Sequence, residues 1–253
     1  MTTVIAVTNQ KGGVGKTTSA VNIAYYLAKS NQRVLLVDLD PQGNASSGLG
    51  IDKNNLETTI GEVLLGSTTL SQAIIPTDYN NLSLVPTTAH LANVEVELAG
   101  MEHKFTKLKS ALDSLEGYDI IIIDSPPSLS LLTVNGLIAA KYVLLPVQAE
   151  FYALEGLGQL LETMKLVRKG MNPKLELLGV LPTMMDTRTT LSNQVHQEIK
   201  KHFAEKVFKS TIPRNIRLAE APSHGVPIGA YDRWSKGARA YKAVAKEVLE
   251  RVS

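Results

Sequence analysis

The fold is decided by the stretch Thr8-Asn9-Gln10-Lys11-Gly12-Gly13-Val14-Gly15-Lys16-Thr17-Thr18, which joins an apolar run at residues 4–7 to a segment with helical spacing. Its glycines allow the backbone to turn N–H groups inward, and the start of a helix adds the positive end of the helix dipole. Backbone arranged in this way holds phosphate oxygens. The stretch therefore predicts a strand, a phosphate-binding loop and a helix in succession.

The side chains at the end of this loop extend the prediction to a nucleoside triphosphate with Mg²⁺. Lys16 is expected to contact the β- and γ-phosphates, and the Thr17 hydroxyl to lie on Mg²⁺, because phosphoryl transfer depends on neutralising the oxygens that gain charge. Thr18 and the backbone N–H groups of residues 12–16 complete the expected cradle. An ordinary glycine-rich turn before a helix would not require this lysine and these hydroxyls.

The loop departs from the general pattern G-x-x-x-x-G-K-[ST] at its first position. Counting back from Gly15, that position holds Gln10, and a second lysine, Lys11, lies inside the loop. Since Lys16 already serves the phosphate site, Lys11 either points to solvent or supplies charge to another phosphate, as an arginine finger does in trans. The second alternative requires a dimer.

Length and composition bound the class of protein. A chain of 253 residues with 44% hydrophobic content can bury one sizeable core, so we expect a single domain over residues 1–253. The absence of cysteine excludes disulfides and thiolate metal sites. No apolar run reaches the ~18 residues that a membrane span needs, and no export signal is recognisable. We therefore expect a cytoplasmic protein that does not span a membrane.

Charge is distributed unevenly along the chain. Residues 1–150 carry 9 Lys/Arg against 14 Asp/Glu, whereas residues 151–253 carry 17 against 10. A basic half can attract a polyanion such as nucleic acid. Basic side chains scattered over solvated helices would give the same count, so this observation alone leaves both alternatives open.

Short β-branched runs alternate with longer helical patterns along the whole chain, which predicts an α/β fold with a doubly wound, mostly parallel sheet covered on both faces. Segment 41–81 has the least regular pattern and could be a mobile excursion. The predicted strands are 4–8, 33–38, 82–86, 119–124, 142–147, 176–181 and 207–212, and the predicted helices are 17–30, 90–115, 153–169, 191–203 and 236–252.

Ligands of such sheets bind beyond the carboxyl ends of the strands, where three aspartates follow apolar runs. Asp38 and Asp40 follow the second predicted strand, and Asp124 ends the most apolar one. Asp124 is expected to hold Mg²⁺ directly or through water, and Asp38 to act on the metal with it. Asp40 is expected to orient the attacking water. A carboxylate that only caps the following turn is the alternative in each case.

Three stretches together resemble the deviant Walker A ATPases, namely Lys11-Gly-Gly-Val-Gly-Lys-Thr-Thr, Val37-Asp-Leu-Asp-Pro-Gln-Gly-Asn and Ile123-Asp-Ser-Pro-Pro. The signature lysine of that group corresponds to Lys11. Residues 148–156 (QAEFYALEG) and 212–225 (IPRNIRLAEAPSHG) further resemble the ParA/Soj chromosome-partition proteins. The resemblance covers essentially the whole chain, with the motifs in the same order.

The resemblance implies an ATP-bound homodimer in which Lys11 contacts phosphates held by the other subunit and Gly12 lies at the interface. It implies that Asp40 is needed for hydrolysis and that Pro213 and Asn215 line the adenine. A plain turn is the usual interpretation of Pro-x-Asn, so this role comes from the resemblance and not from the spacing.

The resemblance also implies that Arg188 and Arg217 hold double-stranded DNA in the dimeric state, and that a ParB/Spo0J-type centromere-binding protein stimulates hydrolysis. Arginines on a dimer face can neutralise backbone phosphates without reading bases. Surface arginines in weak ion pairs are the alternative. The expected function is an ATP-dependent switch that binds DNA nonspecifically and segregates a chromosome or plasmid while associated with the nucleoid.

Three alternatives stay open at this point. A related positioning ATPase for another cargo would use the same switch, and a P-loop transferase or synthetase would need a second substrate pocket. The last predicted helix, 236–252, could lie on a membrane surface, but its small apolar side chains and its acidic residues favour packing on the sheet.

Overall fold

The computed structural model of the protein describes residues 2–150 and 155–253, and these ranges form one seven-stranded sheet covered by helices. The strand order is β3-β4-β2-β5-β1-β6-β7, and every neighbouring pair is parallel except β3 with β4. The strands are β1 (Thr3–Val7), β2 (Val34–Asp38), β3 (Ile75–Pro76), β4 (Leu82–Val85), β5 (Ile120–Asp124), β6 (Tyr142–Gln148) and β7 (Glu176–Thr183).

The helices cover both faces of this sheet. They are α1 (Lys16–Lys29), α2 (Asn44–Gly48), α3 (Ile60–Leu65), α4 (Leu70–Ala73), α5 (Leu91–Ala99), α6 (Lys107–Asp113), α7 (Leu131–Ala139), α8 (Glu155–Gly170), α9 (Thr190–Phe203), α10 (Ile216–Glu220), α11 (Ile228–Tyr231) and α12 (Lys236–Val252). The α/β, doubly wound, mostly parallel architecture expected from the sequence is confirmed.

Alternation along the strands divides the interior into two cores. In β5, Ile120 and Ile122 face a core that includes α1 and α12, whereas Ile121 and Ile123 face a core that includes α3 and α5 to α9. Both sets are almost fully buried. A central strand buried on both faces reads as a continuous apolar run, which is why the sequence located β5 so clearly.

The central strands bring their carboxyl ends together. In the parallel register, Asp124 of β5 lies opposite Val7 of β1 on one side and opposite Asp38 of β2 on the other. The phosphate-binding loop starts directly after Val7. The loop and the two aspartates therefore meet at one edge of the sheet, as expected.

The strand predicted at residues 207–212 is wrong. This segment runs beside β7, where the Phe208 and Ile212 N–H groups donate to the Val180 and Pro182 carbonyls at 2.9 Å each, but of its residues only Val207 forms a β-bridge, an isolated one with Val180. The backbone N–H groups of Lys209 and Ser210 donate instead to the Glu247 carboxylate of α12, at 2.9 and 3.0 Å. A regular parallel ladder would direct the Ser210 N–H to the Pro182 carbonyl, but a side chain takes this donor and Ile212 donates to that carbonyl instead, so the segment is not a strand.

The single helix predicted over residues 90–115 is also wrong in its middle, because the structure has α5 and α6 separated by residues 100–106. Gly100 follows α5, and His103 adopts a left-handed φ of 55°, which a helix cannot accommodate. The Lys104 carbonyl accepts a hydrogen bond from the Asn135 side chain at 2.8 Å instead of from a helical N–H. The apolar residues keep a helical spacing across residues 100–106, so the sequence pattern did not show that the backbone breaks the helix there.

Segment 41–81 is more regular than expected. It contains α2, α3, α4 and the short edge strand β3, and it buries Ile60, Leu64 and Leu70. Thr59 caps α3 and Thr69 caps α4, each through a capping box with a Glu or Gln three residues later. The helices are short, so their apolar residues do not repeat often enough to show a period.

The last helix has the predicted bounds, and its apolar side packs inward. Ser235 caps α12 by accepting from the Ala238 N–H at 3.0 Å, and Tyr241 and Val248 are buried. The Tyr241 hydroxyl hydrogen-bonds the Ser19 hydroxyl of α1 at 3.0 Å. Packing on the sheet is therefore confirmed over a membrane-surface role. Within residues 2–150 and 155–253, no helix is long and apolar enough to cross a bilayer.

Candidate nucleotide-binding site

The glycine-rich loop has the conformation that an anion cradle requires. Gly13 and Gly15 have φ of 74° and 88°, values that only glycine adopts readily. A Cβ placed on Gly12 or Gly13 would meet no atom within 4 Å, so open space lies beside the loop. Gly15 precedes α1 and provides no side-chain cap, which leaves the first N–H groups of the helix for a ligand.

Two side chains hold the loop in place. The Thr183 hydroxyl at the end of β7 donates to the Val14 carbonyl at 2.8 Å, and the Asn9 amide donates to the Pro146 carbonyl at 2.7 Å. Both donors are buried. The loop is thus fixed to β6 and β7, which preorganises it for phosphate without help from a ligand.

Lys16 is buried at the base of this loop. Its ammonium donates to the Lys11 carbonyl at 3.1 Å. Burial lowers the pKa of Lys16, while the charges of Asp124 and Asp40 raise it. The ammonium therefore lies between the loop backbone and two carboxylates, where the charge of a phosphate would stabilise it further.

Asp38 and Asp124 are fully buried side by side. The Asp38 oxygens accept from the Asp40 N–H at 3.3 Å and from the N–H and hydroxyl of Ser46 at 2.8 and 2.7 Å. Burial raises the pKa of Asp38 to about 6 although the Ser46 hydrogen bonds oppose it. Both carboxylate oxygens of Asp38 thus accept hydrogen bonds from groups of the chain itself.

Asp124 differs, because neither of its oxygens has a hydrogen-bond partner of ordinary geometry in the described part of the chain. Burial raises its pKa well above the usual range, and the neighbouring Asp38 adds to this, whereas the Thr17 hydroxyl and the Lys16 charge lower it. A buried carboxylate without donors is costly unless a cation joins it. The buried, unpartnered carboxylate of Asp124 is therefore suited to bind a hard divalent cation such as Mg²⁺.

Asp40 lines a cavity together with residues of the loop. It is nearly buried, and its Oδ1 accepts from the Gln42 N–H at 2.9 Å. A cavity of about 270 Å³ lies between Asp40 and the loop residues Gly12, Gly13, Lys16 and Thr17. Asp40 thus faces the space where the terminal phosphate and an attacking water would meet.

A second cavity of about 400 Å³ continues from the first and shares Gly15 and Thr18 with it. Its walls include Pro213, Asn215 and the buried Tyr241. Asn215 caps α10 by accepting from the Arg217 N–H at 3.0 Å. The structure therefore brings Pro213 and Asn215 to the phosphate loop, in a mostly apolar pocket suited to a planar base.

Lys11 does not line the phosphate cavity of its own chain. Its ammonium forms an ion pair with Glu150, with 2.7 Å between Nζ and Oε2, and both side chains are about half exposed. Glu150 follows β6 in the motif at residues 148–156, of which residues 151–154 lie outside the described ranges. The second lysine of the loop is thus directed away from the cavity that Lys16 lines.

The two predicted DNA-binding arginines lie at the same edge of the molecule. Arg188 follows β7, is 87% exposed and pairs with Asp186 at 2.7 Å, which lowers the pKa of Asp186 to about 2. Arg217 of α10 pairs with Glu220 at 2.8 Å and with Asp232 at 3.7 Å. Both are surface residues in ion pairs, and neither reaches into the nucleotide cavities.

Sequence reasoning missed several residues that support the site. Ser46 holds Asp38, Thr183 holds the loop, and Glu150 pairs with Lys11. Pro127 and Gln42 line the phosphate cavity. Pro127 and Gln42 belonged to motifs already noted, but Ser46 and Thr183 carried no signal, since a hydroxyl near a strand end is common.

The fold and the site define a P-loop ATPase, in which a strand, a glycine-rich loop and a helix place lysine and threonine against carboxylates from neighbouring strands. A family model described as "AAA domain" matches residues 2–177. The sporulation initiation inhibitor protein Soj of Bacillus subtilis is 53% identical over 246 residues, 97% of each chain. The chromosome partitioning protein ParA of Myxococcus xanthus is 49% identical over 98% of this chain and 88% of that protein.

Among solved structures, a cobyrinic acid a,c-diamide synthase from Mycobacterium smegmatis with bound ADP and magnesium superposes with a TM-score of 0.88. It is 42% identical and covers 100% of this chain and 96% of that one. The family is settled by the full-length relatives: this chain belongs to the ParA/Soj family of P-loop ATPases.

Proposed function

We propose that this chain is a chromosome-partitioning switch that binds ATP as a homodimer, binds DNA nonspecifically in that state and releases it on hydrolysis. The main support for this is the different placement of the two lysines of the loop. Lys16 is buried at the phosphate cavity, whereas Lys11 is half exposed and directed outward. An outward ammonium on a phosphate loop is suited to a triphosphate held by a second copy of the chain.

Within one subunit, the described residues account for ATP and Mg²⁺. The N–H groups of residues 12–16 and the Lys16 ammonium would hold the phosphates, with the base between Pro213 and Asn215. Thr17 and Asp124 would hold Mg²⁺, and Asp38 would act on it through water because its Oδ2 accepts from Ser46 and its Oδ1 from the Asp40 N–H. Bound Mg²⁺ would neutralise charge that develops on the phosphate oxygens.

The described residues hold no cluster of three His, Asp or Glu side chains that could bind a metal without the nucleotide. This agrees with a cation that is bound partly by phosphate oxygens, as is usual for Mg²⁺ in nucleotide sites. Asp40 would then accept a hydrogen bond from the attacking water in the cavity that it shares with the loop. Removal of Asp40 should stop hydrolysis while the nucleotide still binds.

Arg188 and Arg217 would contact DNA phosphates, exchanging their intramolecular ion pairs for the backbone of a duplex. Two copies in a dimer double the number of contacts, which explains why nucleotide would control DNA binding. The name of the Myxococcus xanthus relative supports a role in chromosome partition. The proposal includes a ParB/Spo0J-type partner that stimulates hydrolysis and a cytoplasmic, nucleoid-associated localisation.

The name of the mycobacterial structure supports a second candidate, a synthase that uses ATP on a small acid. The partition names belong to relatives that are more similar, at 49% and 53% identity against 42%. The two candidates differ in what stimulates turnover. A synthase would need a small carboxylic acid and an amine donor, whereas a partition ATPase would respond to DNA and a DNA-bound partner.

The proposal is tested by measuring mass in solution with saturating ATP and Mg²⁺ for the wild type, Lys11→Ala and Asp40→Ala. We expect a nucleotide-dependent dimer for the wild type and a longer-lived dimer for Asp40→Ala, since hydrolysis fails. Lys11→Ala should dimerise poorly and not hydrolyse ATP. Lys29→Ala, at the other end of α1, is the matched control and should behave as the wild type. A wild type that stays monomeric refutes the proposal.

A further inference from the structure

Trp234 is an exposed aromatic side chain that the nucleotide site does not use. It is the only tryptophan of the chain and is 74% exposed. The Arg233 guanidinium carbon lies 4.6 Å from the centroid of its ring. The backbone N–H of Trp234 donates to Asp232 Oδ1 at 3.1 Å, and the next residue, Ser235, caps α12. The indole is therefore held outward by a fixed backbone and a stacked cation.

The segments before and after this ring are rich in positive charge. Residues 214–242 contain six Lys/Arg and two acidic residues, Glu220 and Asp232, and both acids pair with Arg217. Arg233, Lys236, Arg239 and Lys242 are exposed and form no ion pair in the described part of the chain. Spacing of three residues places the last three of them along one face of α12.

The patch is continuous with the loop that carries Arg188. The Arg214 N–H donates to the Met185 carbonyl at 3.1 Å, and the Met185 N–H donates to the Ile212 carbonyl at 2.9 Å. Asp186, which pairs with Arg188, lies close enough to Arg214 for that charge also to lower its pKa. We call this surface the basic face; it consists of Arg188, Arg214, Arg217, Arg233, Trp234 and Lys236.

We propose that Trp234, stacked on Arg233, is a DNA-contacting residue that packs against the sugars and base edges in a groove of duplex DNA while the surrounding cations neutralise its phosphates. The inference rests on the proposed function, since it names a further part of the same DNA surface. Charge complementarity selects the occupant, because the segments before and after the ring are rich in positive charge and a polyanion matches them. A membrane is disfavoured, since the apolar side of α12 is already buried against α1.

The proposal separates two kinds of contact in one surface. Lysine and arginine contacts release counterions, so losing one reduces the slope of log affinity against log salt by about 1. An indole packed in a groove adds affinity without releasing counterions, so losing it leaves the slope unchanged. Trp234 and its stacked neighbour Arg233 should therefore respond differently to salt although they touch each other.

The test uses the single tryptophan as its own reporter. Emission of Trp234 is recorded for the full-length protein with ATP and Mg²⁺ while a mixed-sequence duplex of 24 base pairs is added, and binding is followed in parallel by anisotropy of labelled DNA. We expect emission to change with the same midpoint as the anisotropy. ATP and Mg²⁺ without DNA give the baseline.

Trp234→Ala should weaken DNA binding by about three- to tenfold with an unchanged salt slope. Trp234→Phe should recover part of this loss. Arg233→Ala should weaken binding and also lower the slope by about 1. The control is another exposed pair of this kind, Phe105 with Lys104 at 5.7 Å, which lies between α5 and α6, two helices whose apolar residues belong to the other core. Phe105→Ala and Lys104→Ala should bind DNA as the wild type does.

The failure of this inference differs from the failure of the proposed function. If the wild type binds DNA with ATP but Trp234 emission does not change, or Trp234→Ala binds equally well, the inference is overturned and the switch stands. A Trp234→Ala protein that no longer dimerises with ATP would also overturn it, since the ring would then belong to a subunit interface. If the wild type binds no DNA in any nucleotide state, both fail.

Discussion

The phosphate site and the basic face lie at the same edge of the sheet but are built in opposite ways. At the phosphate site, Lys16, Asp38 and Asp124 are buried, and hydrogen bonds to backbone groups fix Lys16 and Asp38. On the basic face, Arg188 and Trp234 are largely exposed. The interaction between buried charges in a low-dielectric site is strong and depends on their exact positions. The interactions of exposed charges are weak, and their effects add up. Single substitutions should therefore have large effects at the first region and graded effects at the second.

The largest effect should come from Lys16→Ala. This change removes the one buried ammonium at the phosphate cavity and leaves Asp40 and Asp124 without their nearest cation. We expect ATP hydrolysis to fall by at least about 10²-fold, as for other preorganised donors at sites of charge development. Steady-state phosphate release measures it. Lys29→Ala in the same helix is the control, and a Lys16→Ala enzyme with near wild-type turnover would contradict the assignment of this cavity.

The sequence predicted the phosphate site well because its parts are local. The loop, the helix start and each aspartate at a strand end are contiguous motifs, and the parallel register places them together once the sheet is recognised. Ser46 and Thr183 could not be found, since their roles depend on side chains that reach Asp38 and Val14 across the fold. The residues that would contact the nucleotide could be predicted from the sequence, whereas the residues that hold them in position could not.

The next effect concerns stability, and Asp124→Asn should show it. The pKa of Asp124 is raised by burial and by Asp38, so between the ordinary value of 3.8 and its raised value the folded state binds more protons than the unfolded state. Stability then falls as pH rises through that window. Without nucleotide, we expect Asp124→Asn to raise the melting temperature at pH 7 by about 3 °C or more and to lose hydrolysis.

Thermal unfolding between pH 4 and pH 8, without nucleotide, measures this difference. The gap between Asp124→Asn and the wild type should widen toward high pH, where the wild-type carboxylate is charged. Asp113→Asn, which alters an exposed carboxylate of α6 paired with Lys109, is the matched control and should shift little. A variant that is less stable than the wild type at pH 7 would show that Asp124 has partners in the free protein.

Arg188→Ala and Arg217→Ala should each have a smaller effect, limited to DNA. We expect each to weaken binding of the ATP state about three- to tenfold and to lower the salt slope by about 1, with hydrolysis retained. Filter retention over a salt series measures both. Arg33→Ala is the control, because Arg33 is a similar exposed arginine that pairs with Asp119 at the opposite edge of the sheet. Equal slopes for all four proteins would remove both arginines from the DNA surface.

The basic face was only partly predictable. Its excess of positive charge was visible as a count, but the count could not separate a patch from scattered lysines. The placement depends on the connection between Met185 and Arg214 and on the turn before α12, where Asp232 joins Arg217 to Trp234. The strand wrongly predicted at residues 207–212 lies just before Arg214, and Glu247 interrupts its pairing with β7 by accepting from the N–H groups of Lys209 and Ser210. Tertiary contacts therefore determine both the position of the basic face and the absence of a strand at residues 207–212.

The smallest effect should come from Glu150→Gln, which tests the border between the two regions. Lys11 belongs to the phosphate loop but is held, like the arginines, in an exposed ion pair. If Lys11 must leave Glu150 to reach a second subunit, losing this pair should favour the dimer. Exposed pairs contribute about 0–1 kcal/mol, so the ATP-dependent dimer should form at a protein concentration lower by up to about fivefold.

Sedimentation over a protein dilution series with ATP measures the change, and the direction matters more than the size. Asp119→Asn breaks a similar exposed pair far from the loop and should leave dimerisation unchanged. A weaker dimer for Glu150→Gln would mean that Glu150 itself contacts the partner, and that its contact with Lys11 is the interface arrangement and not a competitor. Whether the dimer becomes stronger or weaker, the result shows whether the Lys11–Glu150 pair behaves like an exchangeable surface ion pair or like part of the rigid phosphate site.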